Sequence, residues 1–428
     1  MLSKLAVVLL AFFAAVTFGL PLLLVDSSFF TTGADLLSVL GRYVAFVAFL
    51  VLTWQYVWTA KLKFLERLIS YDRRVAIHRT LGFLGILFLS LHPIFVLGAY
   101  AAWEVPLTLS PVILLGFIAF LILLMIAGST FLGRIWGVRY ESWKRLHWFN
   151  FVVLTIAFVH SLLIGSDLYA WRRVFWIALW GIHLLVLMAK FWHKIRVWVP
   201  TYKVLDVKRL SSSVIGLKLE RPAWRYLPGQ FVFLTARFGK HWESWHPFSL
   251  TSSIAEKNLS VAIKGVGDFS TQAPKIQAGD RIKVDGPYGG FSAQLFPDTR
   301  YVLVAGGVGI TPVHGILKSL YIRQDPPEVR LIYSVHHEAD ILFRQDLESW
   351  FDERAQWQLT YIVSSQPDWP GEKGRLTPER IVPLCEDDLS GTFFLCGPLA
   401  MVRSLRRYLI GRGVPRRRIR SEQFVFLP

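Results

Sequence analysis

Hydrophobic and polar positions follow two different patterns that change near residue 200. Before that point six long apolar runs alternate with short polar segments, at residues 5–25, 36–59, 75–101, 107–130, 146–164 and 169–191. About 20 apolar residues in a helix cross the ~30 Å hydrocarbon core of a bilayer. The first run is too long for the apolar region of a signal peptide and lacks an A-x-A site, so we predict a retained helix. The pattern therefore predicts six transmembrane helices.

Beyond residue 200 the apolar pattern becomes that of short strands. TYKVLDVKRLS, SVIGLKLER, QFVFLTA and LSVAIKGVG alternate or are β-branched and end at Pro or Gly, which is typical of an antiparallel barrel. From residue 300 the strands YVLVA, VRLIYSV, WQLTYIVS and GTFFLCGP alternate with helical segments, which indicates a doubly wound α/β domain. We expect a multidomain membrane protein: a six-helix bundle at 1–196, a β-barrel at 197–297 and an α/β domain at 298–428.

Charge supports this division and suggests an orientation. Of the 428 residues 53% are hydrophobic, and residues 1–200 carry 17 Lys and Arg against 7 Asp and Glu. The cations concentrate in the loops after the second, fourth and sixth runs, so the positive-inside rule predicts cytoplasmic termini and contact with anionic lipid heads. The segment 61–74 is predicted to lie at the interface as a basic amphipathic helix. No motif for nucleic-acid binding is present, and the two cysteines, Cys385 and Cys396, favour a reducing compartment.

Four histidines are the strongest chemical feature of the apolar half. His78 and His92 are 14 residues apart in the third run, and His147 and His160 are 13 apart at the fifth. Each spacing covers about 20 Å of helix, and neutral imidazole is a common iron ligand. Two helices with two histidines each can therefore hold two haems, one near each membrane face.

The two spacings do not place their histidines equally. Fourteen residues return to within about 40° on an ideal helix, whereas 13 residues leave two positions about 140° apart. The helix between His147 and His160 is therefore expected to be bent or locally rewound, or the two imidazoles reach their metals from different sides.

Two further ionisable residues in the apolar half have alternative interpretations. Arg42 either extends to the lipid headgroups or pairs with a propionate of an outer haem, or steers an anion or dioxygen there. His183 stands alone in the sixth run and is expected to be a structural histidine with an interhelical hydrogen bond.

Together these features resemble the ferric reductase and NADPH oxidase superfamily, bacterial NADPH oxidases in particular. In the membrane half the resemblance lies in the 14- and 13-residue histidine spacings and in RYESWKRLH. It implies two b-type haems, an inner one on His78 and His147 and an outer one on His92 and His160. It also implies an integral protein of the bacterial cytoplasmic membrane.

The soluble half is similar to ferredoxin-NADP reductase modules, which implies an FAD-binding barrel and an NAD(P)-binding α/β domain. By this resemblance HPFS is the flavin motif (His246, Pro247, Phe248, Ser249), and GDFST lies by the FAD pyrophosphate (Gly267, Ser270, Thr271). GGVGITP would bind the nucleotide pyrophosphate (Gly306, Gly307, Gly309, Thr311), and CGP would lie near the nicotinamide (Cys396, Gly397, Pro398). EQF suggests that Phe424 covers the isoalloxazine, with Phe426 as the alternative. Cys396, Phe424 and Arg42 are the candidate catalytic residues.

Two departures from the family pattern leave donor and acceptor open. His336 and His337 stand where NADPH-selective members usually have an arginine, so NADPH and NADH both remain candidates, with Arg375 as a substitute cation. Val96 replaces a histidine that superoxide-forming members often carry one turn after the outer ligand. Dioxygen reduction to superoxide remains the first hypothesis. The others are reduction of a ferric chelate and electron delivery to a quinone or an extracytoplasmic partner; a homo-oligomer is also open.

Overall fold

A computed structural model describes residues 4–26, 32–60, 65, 68–69, 71–133, 135, 137, 140–198, 200–239 and 241–422. The chain divides into two compact units, Leu2–Lys194 and Ile195–Phe426, which are described separately below.

The first unit is helical. Its helices are α1 (Lys4–Leu24), α2 (Gly33–Trp58), α3 (Tyr71–Ala102), α4 (Pro111–Leu132), α5 (Tyr140–Trp148), α6 (Asn150–Ile164) and α7 (Ala170–Trp198). Within the described residues six stretches are long and apolar enough to cross a membrane, α5 and α6 together forming one of them. Large apolar side chains such as Ile94, Leu121 and Leu185 are each more than 60% exposed on these helices, as expected of surfaces that face lipid. The prediction of six apolar helices is confirmed.

Local capping moves some helix ends away from the predicted ones. The fourth helix begins at Pro111 rather than near residue 107, because the Ser110 hydroxyl accepts from the Ile113 N–H at 3.3 Å and proline suits the first helical position. The sixth apolar helix continues to Trp198, beyond the predicted end at residue 191. Thr32 and Asp35 form a capping box at the start of α2.

Small residues bring α2 and α3 close together. A Cβ at Gly85 would lie 2.9 Å from Leu52 Cδ2, and a Cβ at Gly41 would lie 3.0 Å from Val96 Cγ2. The two helices can therefore pack backbone against side chain along much of their length.

The expectation for segment 61–74 is corrected at its last residue. Residues 61–64, 66–67 and 70 lie outside the described part of the chain. Arg74 is 0% exposed and donates from Nη1 to the Ala60 carbonyl at 2.5 Å and from Nε to the Ile69 carbonyl at 3.0 Å. Its guanidinium satisfies one carbonyl just after α2 and that of Ile69 instead of facing lipid headgroups, because buried carbonyls without partners are costly.

The second unit begins with an antiparallel sheet. Its strands are β1 (Tyr202–Arg209), β2 (Val214–Leu219), β3 (Phe231–Thr235), β6 (His246–Ser249), β7 (Leu259–Lys264) and β8 (Arg281–Tyr288), in the order β6-β3-β8-β1-β2-β7. A bridge between Leu250 and Val261 joins the two edges, so the sheet closes into the predicted barrel. A two-stranded ribbon of β4 (Arg237–Phe238) and β5 (His241–Trp242) and the short helix α8 (Asp268–Gln272) complete this part.

A parallel sheet follows. Its strands are β9 (Arg300–Gly306), β10 (Glu328–Val335), β11 (Trp357–Val363), β12 (Glu372–Lys373), β13 (Thr392–Cys396) and β14 (Ile419–Glu422), in the order β12-β11-β10-β9-β13-β14. Helices α9 (Ile310–Tyr321), α10 (Arg344–Asp352), α11 (Ile381–Leu384) and α12 (Leu399–Gly411) accompany it. The strand order reverses between β9 and β13, and the crevice at such a reversal is where open α/β sheets bind ligands.

Candidate functional site

His78 and His147, the pair expected at the inner face, lie opposite one another on two helices, and His92 and His160 are the pair expected at the outer face. His78 of α3 and His147 of α5 have ring centroids 6.0 Å apart, with ring planes at 70°. A metal bonded to one nitrogen of each ring at about 2 Å would separate the ring centres by about 6 Å. Within the described residues no group of three or more His, Cys, Asp or Glu could hold a metal ion. The ring separation itself is compatible with a metal that brings its other ligands with it, as iron does in haem.

The outer pair is fixed through its second ring nitrogens. His92 Nδ1 lies 2.9 Å from the Gly41 carbonyl, and His160 Nδ1 lies 2.8 Å from the Val112 carbonyl. A carbonyl can only accept, so Nδ1 carries the proton and Nε2 keeps its lone pair. A backbone carbonyl on one nitrogen and a metal on the other is the usual arrangement of a ligating histidine.

A glycine of α4 makes room for the outer imidazole. A Cβ at Gly116 would lie 2.6 Å from His160 Cε1 and 2.7 Å from its Nδ1. Sequence reasoning missed this contact, since a glycine in an apolar helix carries no signal of the helix it faces.

The helix between His147 and His160 is interrupted, which agrees with the first of the two alternatives that the 13-residue spacing left open. Helix α5 ends at Trp148, α6 begins at Asn150, and Phe149 between them has no side-chain cap. The Asn150 side chain donates from Nδ2 to the His147 carbonyl at 2.9 Å, and the same atom lies 3.5 Å from His147 Nδ1. Asn150 therefore positions His147 at the interruption.

Arg42 is held by a loop of the same unit. Its Nε lies 3.0 Å from Asp167 Oδ2, although the angle is outside hydrogen-bond limits, and its Nη2 donates to the Asp26 carbonyl at 3.1 Å. Burial raises the pKa of the Asp167 carboxyl, and its contacts with Asp26 and Arg42 oppose that shift. The structure thus shows a third arrangement besides headgroup contact and propionate pairing.

His183 does not make the hydrogen bond expected of it. Its side chain is 2% exposed, and among the described residues neither ring nitrogen has a hydrogen-bond partner. The ring stacks on Trp180 with centroids 4.6 Å apart. The expectation of a hydrogen-bonded structural histidine is wrong, because aromatic rings of α2 and α7 surround the imidazole instead.

In the second unit, the ends of β9 and β13 meet at the reversal of strand order. A Cβ at Gly306 would lie 2.8 Å from Pro398 Cδ, and a Cβ at Gly309 would lie 2.4 Å from the Cys396 carbonyl oxygen. Gly397 has φ of 154° and touches Gly306. Only residues without a Cβ allow the two segments to approach this closely, so the structure brings GGVG and CGP together.

The rest of the glycine-rich segment faces open space. Gly307 has φ of 53° and no atom within 4 Å of its ideal Cβ position. The Thr311 hydroxyl donates to the Val308 carbonyl at 2.9 Å and so stabilises the turn that leads into α9. The first N–H groups of a helix lack intrahelical partners, which suits an anionic ligand here.

The HPFS and GDFS motifs are in contact. The His246 ring stacks on Phe269 with centroids 4.9 Å apart and planes at 20°, and Phe248 lies 5.7 Å from the same ring. Pro247 pairs with Phe233 of β3, and Ser249 is buried at the end of β6.

The residues proposed for the pyrophosphate form a tight turn. Ser270 Oγ accepts from the N–H of Gly267 at 2.8 Å and of Val266 at 2.9 Å, and the Thr271 hydroxyl donates to the Asp268 carbonyl at 3.1 Å. These hydroxyls shape the loop, while the Cβ position of Gly267 is open.

Cys396 is a buried thiol with a raised pKa. It is fully buried at the end of β13, and burial raises its pKa well above the ordinary value, with a further contribution from the Glu422 carboxylate. A thiol with a raised pKa is a poor nucleophile, which favours a contact role for Cys396. Glu422, the last residue described, lies against Gly289 of the barrel. Phe424 and Phe426 lie outside the described residues.

The structure also shows a contact between barrel and sheet that sequence reasoning missed. His314 of α9 places Nδ1 3.2 Å from the Thr251 carbonyl and Nε2 3.0 Å from Asp346 Oδ2. A Cβ at Gly315 would lie 2.7 Å from the Leu250 carbonyl oxygen. Helix α9 therefore packs directly on the segment that continues from HPFS.

The carboxyl edge of β10 and β11 carries the segment that bears on nucleotide choice. His336 Nδ1 lies 3.1 Å from Ser364 Oγ, and β12 continues at the same edge into the exposed Arg375. Arg375 therefore lies on the edge where a substitute cation would act if the donor is NADPH.

Three sequence families match the chain in order. Residues 44–159 match the ferric reductase like transmembrane component, residues 200–292 the FAD-binding domain, and residues 303–407 the oxidoreductase NAD-binding domain.

Individual relatives match parts of the chain. NADH-cytochrome b5 reductase 1 of Scheffersomyces stipitis is 27% identical over 241 residues, which cover 53% of this chain and 84% of that protein. NADPH oxidase 3 of Rattus norvegicus is 34% identical over 142 residues, 30% of this chain and 25% of that protein. A crystal structure of a ferredoxin NADP+ reductase from Neisseria gonorrhoeae with bound FAD and NADP aligns with a TM-score of 0.47 and 26% identity, over 52% of this chain and 97% of that one.

Proposed function

Because the chain belongs to the ferric reductase and NADPH oxidase superfamily, we propose that it is a transmembrane flavocytochrome. It is an integral membrane NAD(P)H oxidoreductase with an FAD-binding and an NAD(P)-binding domain. In our proposal it transfers electrons from NADPH or NADH, by way of FAD and two b-type haems, to an acceptor at the outer face. The proposed domains are the haem-binding helical bundle at 1–196, the FAD-binding barrel at 197–297 and the NAD(P)-binding domain at 298–428.

The arrangement of the four histidines is the observation that carries the proposal. His78 and His147 have the separation that one metal between them requires, and His92 and His160 present Nε2 because Nδ1 is hydrogen-bonded. One histidine on each side of a haem would leave no open position on its iron. The acceptor would therefore take electrons from the edge of the outer haem, without binding to iron.

The flavin and the haems supply the hydride and one-electron chemistry, and the chain supplies binding and positioning. The contact between GGVG and CGP is the proposed nucleotide site, with Cys396 beside the nicotinamide. HPFS, GDFST and Phe424 would hold the flavin. His314 and Gly315 support this arrangement because they fasten α9 to the segment after HPFS.

Sidedness rests on the charges of the loops. The basic loops after the second, fourth and sixth runs would lie in the cytoplasm, with both termini and the nucleotide-binding domains. His78 and His147 would then hold the inner haem and His92 and His160 the outer one, in a bacterial cytoplasmic membrane.

Dioxygen, giving superoxide, is the acceptor we propose. A ferric chelate is the second candidate, and Val96 is the observation that favours it. Val96 stands at the position where superoxide-forming members often have a histidine. Its side chain packs on Gly41 of α2. Arg42 is already paired with Asp167, so its role in steering dioxygen is limited to the charge left by that pair. Delivery to a quinone or a partner protein would show as little turnover until the partner is added.

The test is haem content and flavin reduction in detergent-purified protein. Wild type should carry two haems per chain, and His92→Ala or His160→Ala should carry one while NAD(P)H still reduces the flavin. His241→Ala, at an exposed position of the barrel, is the control. Two haems in both ligand variants would refute the assignment of the ligands. Reduction of an iron chelate that superoxide dismutase does not inhibit would identify the chelate, and not dioxygen, as the acceptor.

A further inference from the structure

Three side chains form a contiguous row where α2 meets α7. His183 and Lys190 are seven residues apart on α7, so they lie two turns apart on one face of that helix. Tyr56 of α2 contacts both: its ring centroid is 4.7 Å from that of His183 and 5.4 Å from Lys190 Nζ. We call Tyr56, His183 and Lys190 the α2–α7 polar row.

The row has hydrogen-bonding capacity that the described chain does not use. The Tyr56 hydroxyl and both ring nitrogens of His183 are buried without a hydrogen-bond partner. The two side chains are 6% and 2% exposed. An unpartnered polar group inside a protein costs about 1–3 kcal/mol, and in hydrocarbon the cost is larger. Such groups point to a partner beyond the described residues, such as a bound ligand.

Lys190 adds a positive charge to the row. Its Nζ donates to Thr59 Oγ1 at 2.9 Å and lies 5.9 Å from the centroid of Phe151. No ion pair reaches Lys190 from the residues that the structure describes. A cation within a membrane-spanning segment is normally paired, so the missing partner should be an anion.

The row lies beside the inner histidine pair. Lys190 interacts electrostatically with His78 and His147 as well as with His183. Phe151, on which Lys190 rests, follows His147 by four residues and stacks on Tyr56 with centroids 4.5 Å apart. An anion bound to the row would therefore be next to whatever His78 and His147 hold.

We propose that the α2–α7 polar row binds a carboxylate, namely a propionate of the inner haem, with Lys190 as its counter-ion. An ammonium, a phenol and an imidazole N–H are three donors that match the two oxygens of a carboxylate. This inference rests on the proposed function, since it requires a haem between His78 and His147. It adds a charge partner that the histidine spacings do not reveal.

The test compares Lys190→Met, Lys190→Arg and a control, Lys194→Met, in the purified holoprotein. Lys194 is one turn further along α7, exposed, with Nζ 5.0 Å from the centroid of Trp148. The readouts are the midpoint potentials of the two haems by spectroelectrochemistry and the rate of haem transfer to apomyoglobin.

Lys190→Met should lower the potential of one haem only and speed its transfer, because an unpaired propionate favours ferric iron. We expect about a tenfold shift of the reduction equilibrium, which is about 59 mV for one electron. Lys190→Arg and Lys194→Met should stay near wild type. Adding His183→Leu to Lys190→Met should change the haem potential and the transfer rate less than His183→Leu does in the wild-type protein, because both side chains bind one ligand.

Unchanged potentials and transfer rates in Lys190→Met, with two haems bound, would overturn the inference and leave the proposed function intact. A wild-type potential that moves when chloride is replaced by sulfate would also overturn it, since the ligand would then be a free anion. Absence of haem from wild type would overturn both proposals.

Discussion

The Nδ1 atoms of His92 and His160 bond to carbonyls of neighbouring helices, which fixes each imidazole before any metal binds. Single residues of those helices therefore decide whether the outer site forms. Gly116 leaves no room for a side chain beside the His160 ring, because a Cβ there would lie 2.6 Å from His160 Cε1.

Gly116→Ala should displace the His160 ring and remove the outer haem. Overpacking of this kind costs about 1–3 kcal/mol, more than the roughly 0.5–1 kcal/mol that alanine gains over glycine in a helix. Gly19→Ala on α1, a helix without any of the four histidines, is the control, since nothing lies within 4 Å of its ideal Cβ position. Pyridine haemochrome assays should give one haem per chain for the first variant and two for the second. Two haems in both would show that the ring can move aside.

His314 and Asp346 give a residue-scale prediction about pH. The hydrogen bond from His314 holds the pKa of the Asp346 carboxyl below its usual range, against the opposing effect of partial burial. A depressed folded-state pKa contributes stability above the unfolded value near ~3.9, and this stability is lost as pH falls through the folded pKa. Asp346 is 49% exposed, so the contribution should not exceed about 1 kcal/mol.

Asp346→Asn should therefore melt below wild type at pH 6, as followed by flavin fluorescence, and the difference should shrink towards pH 3. Asp352→Asn, at the end of the same helix, is the control. A difference that grows on acidification would contradict the assigned direction.

At the scale of elements, the interruption between α5 and α6 changes the relative direction of His147 and His160, which an ideal helix would leave about 140° apart. The interruption exposes the His147 carbonyl, and the Asn150 side chain satisfies it at 2.9 Å. Asn150→Ala should leave that carbonyl unpaired, at a cost of about 1–3 kcal/mol, and speed transfer of the inner haem to apomyoglobin about tenfold or more. Thr155→Ala removes a similar bond, to the Phe151 carbonyl at 2.9 Å, and should have little effect. Equal rates in the two variants would mean that Asn150 does not position His147.

The same elements show what the sequence could predict. Apolar periodicity located the membrane-spanning helices, and strand alternation located the barrel and the parallel sheet, because both depend on each segment's own residues. Helix geometry gave a bend between His147 and His160 as one of two alternatives, and its position at Phe149 came only from the structure. Gly116, Asn150 and His314 could not be identified, since each matters through a contact with another element. The short strands β12 and β14 were not predicted, because two to four residues are too few to show an alternation of apolar and polar positions.

At the scale of the whole molecule, the proposal separates donor and acceptor on opposite sides of a bilayer. The membrane half would carry the two histidine pairs at different depths, and the soluble half would bind NAD(P)H on one side only. Transfer across the bilayer is therefore the property that distinguishes this protein from a flavin reductase with a membrane anchor.

Proteoliposomes with ferricytochrome c trapped inside test this property directly. NADH or NADPH added outside should reduce the trapped acceptor, because only molecules whose soluble half faces outward meet the nucleotide. Trapped superoxide dismutase should suppress the reduction if dioxygen is the carrier, and should leave it unchanged if electrons pass directly. His160→Ala is the control, since its flavin should be reduced at the normal rate while the trapped acceptor stays oxidised. Reduction by His160→Ala at the wild-type rate would mean that electrons do not cross through the outer pair.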